Sequence, residues 1–406
     1  MTLWYSCCVA ETSGEQDSPC IYLCGNSLGL KPKQADVYMA EQLDNWGKQA
    51  VFMHFNGRIP AALADQPGKE ITASIVGAGS VSEVTIMNGL TVNLHLLMMA
   101  FYQPRGKRNK ILIEDHAFPS DRYAVRSLLR MKGVGEEGLL LVKPRQGEDT
   151  IRTEDILKMI DANKDDISLV MLSGVQYYTG QKFDMAAVTQ AGRRAGCMVG
   201  WDLAHAVGNV RLRLSEWGVD FAVWCSYKYL NSGAGGIGGA FVHQKHHKNM
   251  PHHLEGWWSN AQDTRFEMRD KVDPAIGAEA FRLCNPPPWL AALNLASLEI
   301  FQEAGMEAIL SKQYLITGYL EYLLTTRLEK HLKVITPKDT AQRGCQLSLV
   351  FNCDLNAVHD RIQGRGVVCD VRYPNAMRIA PAPLYNSYKD VRHFVDILQE
   401  ALEFCK

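Results

Sequence analysis

Between about Thr85 and Val242, short apolar runs alternate with polar segments of helical length. The runs predict strands at Val84–Met87, Lys110–Glu114, Leu139–Lys143, Ser168–Ser173, Cys197–Asp202, Phe221–Ser226 and Gly239–His243. Strands separated by helix-like stretches predict an α/β fold, a mostly parallel sheet covered by helices.

The pattern changes on either side of this block. Residues 21–50 hold a glycine-punctuated turn, CGNSLGLKP, then a helical stretch from about Gln34 to Gly47. From Leu290 to about Lys330 the periodicity is helical with few breakers. Leu315, Tyr319, Tyr322 and Leu323 take the i, i+4, i+7, i+8 spacing of one buried face. Beyond Val334 come a strand-like CQLSLVF, a GVVCDVR strand and a closing helix at Tyr388–Phe404, which predict a smaller α+β domain. The expected division is a large domain over 51–295 and a small C-terminal domain over 296–406, with residues 1–50 packing against the latter.

Composition narrows the function without choosing one. The chain has 406 residues, 47% hydrophobic and 21% charged, enough for a large buried core. A formal net charge of -1 argues against nucleic acid or an anionic membrane as the main partner. No apolar stretch reaches spanning length, and the N-terminus lacks the basic and apolar regions of a secretory signal. The 11 cysteines are odd in number, with Cys7 and Cys8 adjacent, and form no CxxC pair. Reduced thiols in the cytoplasm are therefore expected, rather than a zinc site or a disulfide framework.

Two strand ends carry the chemistry. Asp202 ends one predicted strand and Lys228 follows another, and open α/β sheets bind ligands at the C-terminal ends of their strands. A lysine there can hold an aldehyde covalently. A buried carboxylate is costly without a cation, and a protonated ring nitrogen supplies one. Together they point to pyridoxal 5'-phosphate (PLP). Once freed, Lys228 is a base for a substrate α-proton, and its neighbour Tyr227 could donate to the phosphate or deliver a proton.

Other segments supply the remaining contacts. Asn88-Gly89 leads a strand into a helix at Leu90-Thr91, whose backbone N–H groups and Thr91 hydroxyl suit a phosphate dianion. Taken alone, Thr91 reads more readily as an ordinary N-cap; beside Lys228, phosphate binding is the better reading. Phe118, pinned by Pro119, could stack on a planar ring or simply fill the core. Ser120 and Asp121 would then lie at the cofactor edge, or cap the next helix. Ser173 ends a buried strand and would face the crevice. His205, three residues after Asp202, contacts the cofactor, polarises Asp202 or is structural.

Two motif matches carry less. Gly233, Gly235 and Gly238 spell GxGxxG, but no acidic residue follows at the dinucleotide-binding distance, so close backbone packing beside Lys228 is the expected role. His243, His246, His247, His252 and His253 fit no standard ligand spacing, and no metal site is expected there.

The motifs in combination resemble the kynureninases, PLP enzymes of the aspartate aminotransferase fold (fold type I). The matching segments are YLCGNSLGLKPK, MNGLTVNLHLL, AFPSDRYA, SGVQYYTGQ, DLAHAVGNV, WGVDFAVWCSYKYLNSGAGGIGGAF, GWW, RLCNPP, RGCQLS and RIAPAPLYNS, spanning residues 22 to 388. The resemblance implies cofactor contacts from Leu90, Thr91, Phe118, Pro119, Ser120, Asp121, Ser173, Asp202, His205, Tyr227, Lys228, Trp257 and Asn285. It implies that Trp257 and Asn285 arrive from the partner subunit of a homodimer with shared active sites. It places His54 and Arg378 against the substrate, with Arg378 suited to clamp a carboxylate bidentately.

The implied reaction is hydrolysis of the Cβ–Cγ bond of L-kynurenine or 3-hydroxykynurenine to alanine and anthranilate or 3-hydroxyanthranilate, a step of tryptophan catabolism and NAD biosynthesis. The resemblance implies Lys228, Tyr227 and Asp202 as its catalytic residues. Two positions depart from the family pattern: Met53 precedes His54 where Gly is usual, and Cys284 precedes Asn285 where animal members commonly have Ser. The competing expectations are a cysteine desulfurase or selenocysteine lyase, with Cys345, Cys353 or Cys369 as nucleophile, and a catalytically silent binding homologue.

Overall fold

The computed structural model describes residues Cys20–Phe404 and the backbone of Tyr5–Ser6. Residues 1–4 and 7–19, the Cys7-Cys8 pair among them, and 405–406 lie outside the described residues.

A seven-stranded sheet forms the larger part of the molecule. Its order is Val84–Ile86, Gly239–Val242, Phe221–Trp224, Met198–Asp202, Ile167–Ser173, Lys110–Glu114, Leu139–Val142. Gly239–Val242 runs antiparallel to both neighbours, and the other adjacent pairs are parallel. Each predicted strand appears within a few residues of its expected ends, because an apolar run between polar helices can be buried only as a covered strand.

Side chains alternate across this sheet as the pleat requires. Leu169 and Met171 join Phe221, Val223 and the helices Leu90–Phe101 and Pro119–Met131 on one face. Val170 and Leu172 join Val199, Trp201 and Phe241 on the other. Trp201 and Trp224 are among the largest fully buried side chains. Truncating either to Ala costs about 3–5 kcal/mol.

The smaller C-terminal domain is built on a four-stranded antiparallel sheet, ordered Leu332–Val334, Leu347–Phe351, Ala376–Ile379, Asp370–Arg372. The expected GVVCDVR strand is two strands. Val367–Val368 pairs in parallel with Ile21–Tyr22, while Asp370–Arg372 joins the antiparallel sheet. Cys369 turns the chain between two partners that no local pattern reveals.

The helical stretch after Leu290 also divides, into Pro288–Ala304 and Met306–Arg327. Gly305 breaks it with a φ of +73°, a conformation that other residues adopt only under strain. The expected buried face of the second helix is corrected. Leu315 and Tyr322 are exposed, whereas Ile316, Leu320, Leu323 and Leu324 enter the core and Tyr319 is half-buried. The spacing was helical, but the stripe is turned by one residue because the core contacts come from the closing helix Tyr388–Phe404 and the small sheet.

The N-terminal residues pack in two places. Ile21 and Leu23 enter the core of the smaller sheet, and the helix Gln34–Gln49 lays Ala35 and Tyr38 against Ala291, Ala292 and Leu295. This brings the GNSLG turn beneath Lys228: the Gly29 amide donates to Tyr227 O at 2.8 Å, and a Cβ on Gly29 would stand 2.3 Å from Lys228 O. Only glycine permits that approach.

Candidate active site

The parallel strands end level with one another. Ser173 is paired in register with Asp202 on the next strand, and Glu114 ends the strand on the other side. A cleft of about 270 Å³ opens above these ends, lined by Leu90, Thr91, Phe118, Ser120, Asp121, Ser173, Asp202, His205, Tyr227 and Lys228 among others. Ten residues singled out in the sequence therefore meet in one cavity, although up to 138 positions separate Leu90 from Lys228. Pro119 stands just outside, as the first residue of the helix that presents Ser120 and Asp121.

One end of the cleft is a cradle for an anion. Gly89 is the N-cap of Leu90–Phe101 with no side-chain cap, and a Cβ built on it would meet nothing within 4 Å. Thr91 is therefore not the N-cap. Its hydroxyl lies 2.6 Å from Ser120 Oγ, so two hydroxyls and a free helix N-terminus face the same space.

The other end holds charge. Lys228 Nζ lies 2.9 Å from His205 Nε2, and 5.8 Å from the centre of the Phe118 ring. Burial first, then the Lys228 charge, holds the His205 imidazole well below its usual range, so it is neutral and accepts from the lysine. Its Nδ1 is buried without a partner. Asp202 takes the Ala204 amide on Oδ1 at 2.7 Å. Burial raises its carboxyl, opposed by the Ala204 amide and Lys228. Burial and the adjacent Asp202 charge hold the Asp121 carboxyl well above the carboxylate range. Burial also raises the Tyr227 phenol.

Glu114 and Tyr177 were not singled out from the sequence. Glu114 is buried and takes the Ser173 hydroxyl on Oε1 at 2.5 Å. The signal that could have found it is the one that found Asp202, an acid at the C-terminal end of a parallel strand. Tyr177 lines the cleft with its ring edge-on to Phe118, centroids 5.2 Å apart. Its carbonyl accepts from Arg378 Nη1 at 2.9 Å. Arg378 is 2% exposed and ion-paired with Asp370, and its Nε has no partner.

Besides Pro119, four expected site residues do not enter this cleft. His54 is exposed beside Phe55, and Trp257 is exposed with its indole N–H on Arg265 O at 2.9 Å. They share one aromatic surface, because Phe266 packs 5.8 Å from Phe55 and 5.4 Å from Trp257. Asn285 lines an adjoining hollow that shares Gly89 with the cleft. Arg378 is likewise outside the cleft lining, but it bonds the Tyr177 that lines it.

The donor set fits PLP. The cradle at Gly89, Thr91 and Ser120 suits the phosphate, Phe118 a ring face, Asp202 a ring N–H, and Lys228 the aldehyde. Of the GxGxxG glycines Gly238 is closely packed, since a Cβ on it would stand 2.9 Å from Trp224 O, whereas one on Gly235 would meet nothing within 4 Å; His246 is held by Asp220 at 2.8 Å.

Known proteins are similar to this chain over nearly its whole length. The family described as kynureninase C-terminal domain matches residues 309–398. The kynureninase of Homo sapiens is 48% identical over 397 residues, covering 96% of this chain and 85% of the relative. That of Myxococcus xanthus is 48% identical over 389 residues, covering 95% and 91%. The chain belongs to the kynureninase family. Its hydrolase activity and PLP dependence follow from that membership. Among solved structures, the cystine C–S lyase C-DES in complex with its product cysteine persulfide aligns with a TM-score of 0.78 at 18% identity, covering 94% of this chain and 97% of that one. The cysteine desulfurase CsdA of Escherichia coli aligns at 0.77 and 16%, covering 95% and 96%. At such identity these two share the fold alone, PLP fold type I.

Family membership sets aside the desulfurase alternative, and the thiols support that choice. Cys345 is buried with its thiol on Asn209 Oδ1 at 3.0 Å, and burial pushes it up to about 12. Burial raises Cys369 too. Neither is an activated nucleophile.

Proposed function

We propose that the cleft over Ser173, Asp202 and Lys228 is the active site for the reaction that family membership assigns to this chain. That reaction is PLP-dependent hydrolysis of the Cβ–Cγ bond of L-kynurenine or its 3-hydroxy derivative, giving alanine and the (3-hydroxy)anthranilate of tryptophan catabolism. The 2.9 Å contact between Lys228 and a neutral His205 carries the reading. A lysine that must take and return protons needs a neighbour that does not compete as a cation.

When bound, PLP supplies an electron-withdrawing ring that weakens the bonds at the substrate Cα. Lys228 would hold the cofactor aldehyde and, once free, could take the substrate α-proton at Nζ. His205 Nε2 accepts from Nζ and keeps the amine aimed at the cleft. Asp202 would hold the ring N–H, a cation that offsets the burial raising its carboxyl, alongside the opposing Ala204 amide and Lys228. Thr91, Ser120 and the helix N-terminus at Leu90 would hold the phosphate, and Phe118 would cover a ring face. Tyr227 could give its Oη proton to the γ-carbonyl oxygen as water adds there, and take back the proton that the water loses. Arg378 receives the substrate α-carboxylate through its unpartnered Nε side.

The enzyme works as a homodimer in the cytoplasm, without nucleic-acid or membrane partners. The exposed aromatic surface of His54, Phe55, Phe266 and Trp257 supports the dimer, because an apolar patch of this kind is an interaction surface. In the dimer, Trp257 and Asn285 reach the partner's cofactor and His54 a substrate. The near-neutral charge and irregular cysteines support the compartment. Among the described residues no helix is long and apolar enough to cross a membrane.

The test is product release. Anthranilate and alanine should form from kynurenine, and no alanine from cysteine. Alanine from cysteine alone would overturn the reading.

A further inference from the structure

Glu114 has no role in the chemistry above, yet it sits among the groups that carry it. It closes the strand Lys110–Glu114 at the level where Ser173 and Asp202 close the next two strands. It is 2% exposed, and no ion pair reaches it among the described residues. Oε1 takes the Ser173 hydroxyl at 2.5 Å and Oε2 the Ser173 amide at 3.3 Å; burial raises the carboxyl, and these bonds oppose that shift. Ser173 in turn lines the cleft, and Glu114 does not.

A buried acid without a cation is costly, and a strand end needs no carboxylate to terminate it. The arrangement makes sense if Ser173 must present one particular side of its hydroxyl. With Oγ–H committed to Glu114, only the oxygen lone pairs of Ser173 face the cleft. A serine left to rotate would offer donor and acceptor in turn. We propose that Glu114 is a positioning residue, fixing Ser173 as a hydrogen-bond acceptor toward the cofactor ring. This rests on the reading that the cleft holds PLP.

Three variants and one pair test it: Ser173→Ala, Glu114→Ala, Glu114→Gln and the double Ser173→Ala/Glu114→Ala. The readouts are the PLP dissociation constant and the position of the visible band of bound PLP, both taken without substrate. Thermal melting of the same preparations reports folding. Each alanine variant should weaken PLP on the order of tenfold and shift the band alike. The double variant should do no more than either single one, since both remove the same interaction. Glu114→Gln keeps a carbonyl acceptor for the hydroxyl, and should recover the band and most of the affinity.

Effects that multiply in the double variant, or an unshifted band in folded Glu114→Ala, would overturn the proposal while leaving the PLP reading intact. Should Glu114→Ala not fold, the comparison of Glu114→Gln with Ser173→Ala decides: a Gln variant as impaired as the serine variant overturns it. Failure of the unaltered protein to take up PLP would overturn the reading itself, and the proposal with it.

Discussion

Lys228 Nζ and His205 Nε2 stand 2.9 Å apart across the cleft, one following the strand Phe221–Trp224 and the other the strand Met198–Asp202. Neighbouring parallel strands bring them together, and the 22 intervening residues hold a loop, the short helix Leu214–Trp217 and the strand Phe221–Trp224. The contact makes the imidazole a proton acceptor rather than a second cation.

That neutrality has a cost in acid. Burial and Lys228 depress His205 well below 6.5 in the folded chain. Below about pH 6.5 the unfolded chain therefore binds a proton that the folded chain refuses, and stability falls with pH until the folded value is reached. Above that window both states are neutral, and the contribution is whole. Urea unfolding of cofactor-free His205→Asn should show a weaker decline between pH 6.5 and 5, by up to about 1.4 kcal/mol per pH unit. Equal slopes for the two proteins would rule out a neutral His205.

Arg378 should act on binding more than on chemistry. Arg378→Lys keeps the charge near Asp370 but loses the planar fork that grips both Tyr177 O and a carboxylate. Steady-state kinetics should show KM for kynurenine raised roughly a hundredfold, with kcat changed far less. A fall in kcat at unchanged KM would mean that Arg378 does not hold the substrate.

The proposed sharing of sites between subunits predicts complementation. Lys228→Ala and Asn285→Ala should each be nearly inactive. Mixed at equal concentration and allowed to exchange subunits, they should regain about a quarter of normal activity, because half the dimers carry one intact site of two. No recovery in a mixture shown to form heterodimers would place Asn285 in its own chain's site.

Much of this was legible in the sequence, and the exceptions have physical causes. Asp202, Ser173 and Lys228 were readable because a polar residue at the end of an apolar strand run has one place to go. Glu114 has the same signal, but its partner is 59 residues away, and nothing local separates an exposed strand-end acid from a buried one. The face of Met306–Arg327 was misplaced because Leu315 and Ile316 are both apolar; only the small sheet decides which is covered. The division of GVVCDVR depends on Ile21–Tyr22, some 345 residues earlier. His54 and Trp257 show their aromatic neighbourhood only in three dimensions.

The central claim is that Lys228 holds PLP and moves the substrate α-proton. The most direct measurement is the visible spectrum after PLP addition, together with anthranilate release from kynurenine, for the unaltered protein and Lys228→Ala. The unaltered protein should show the band of lysine-bound PLP and release anthranilate, and the variant should show neither while still melting as a folded protein. A folded Lys228→Ala that keeps both the band and the turnover would contradict the account.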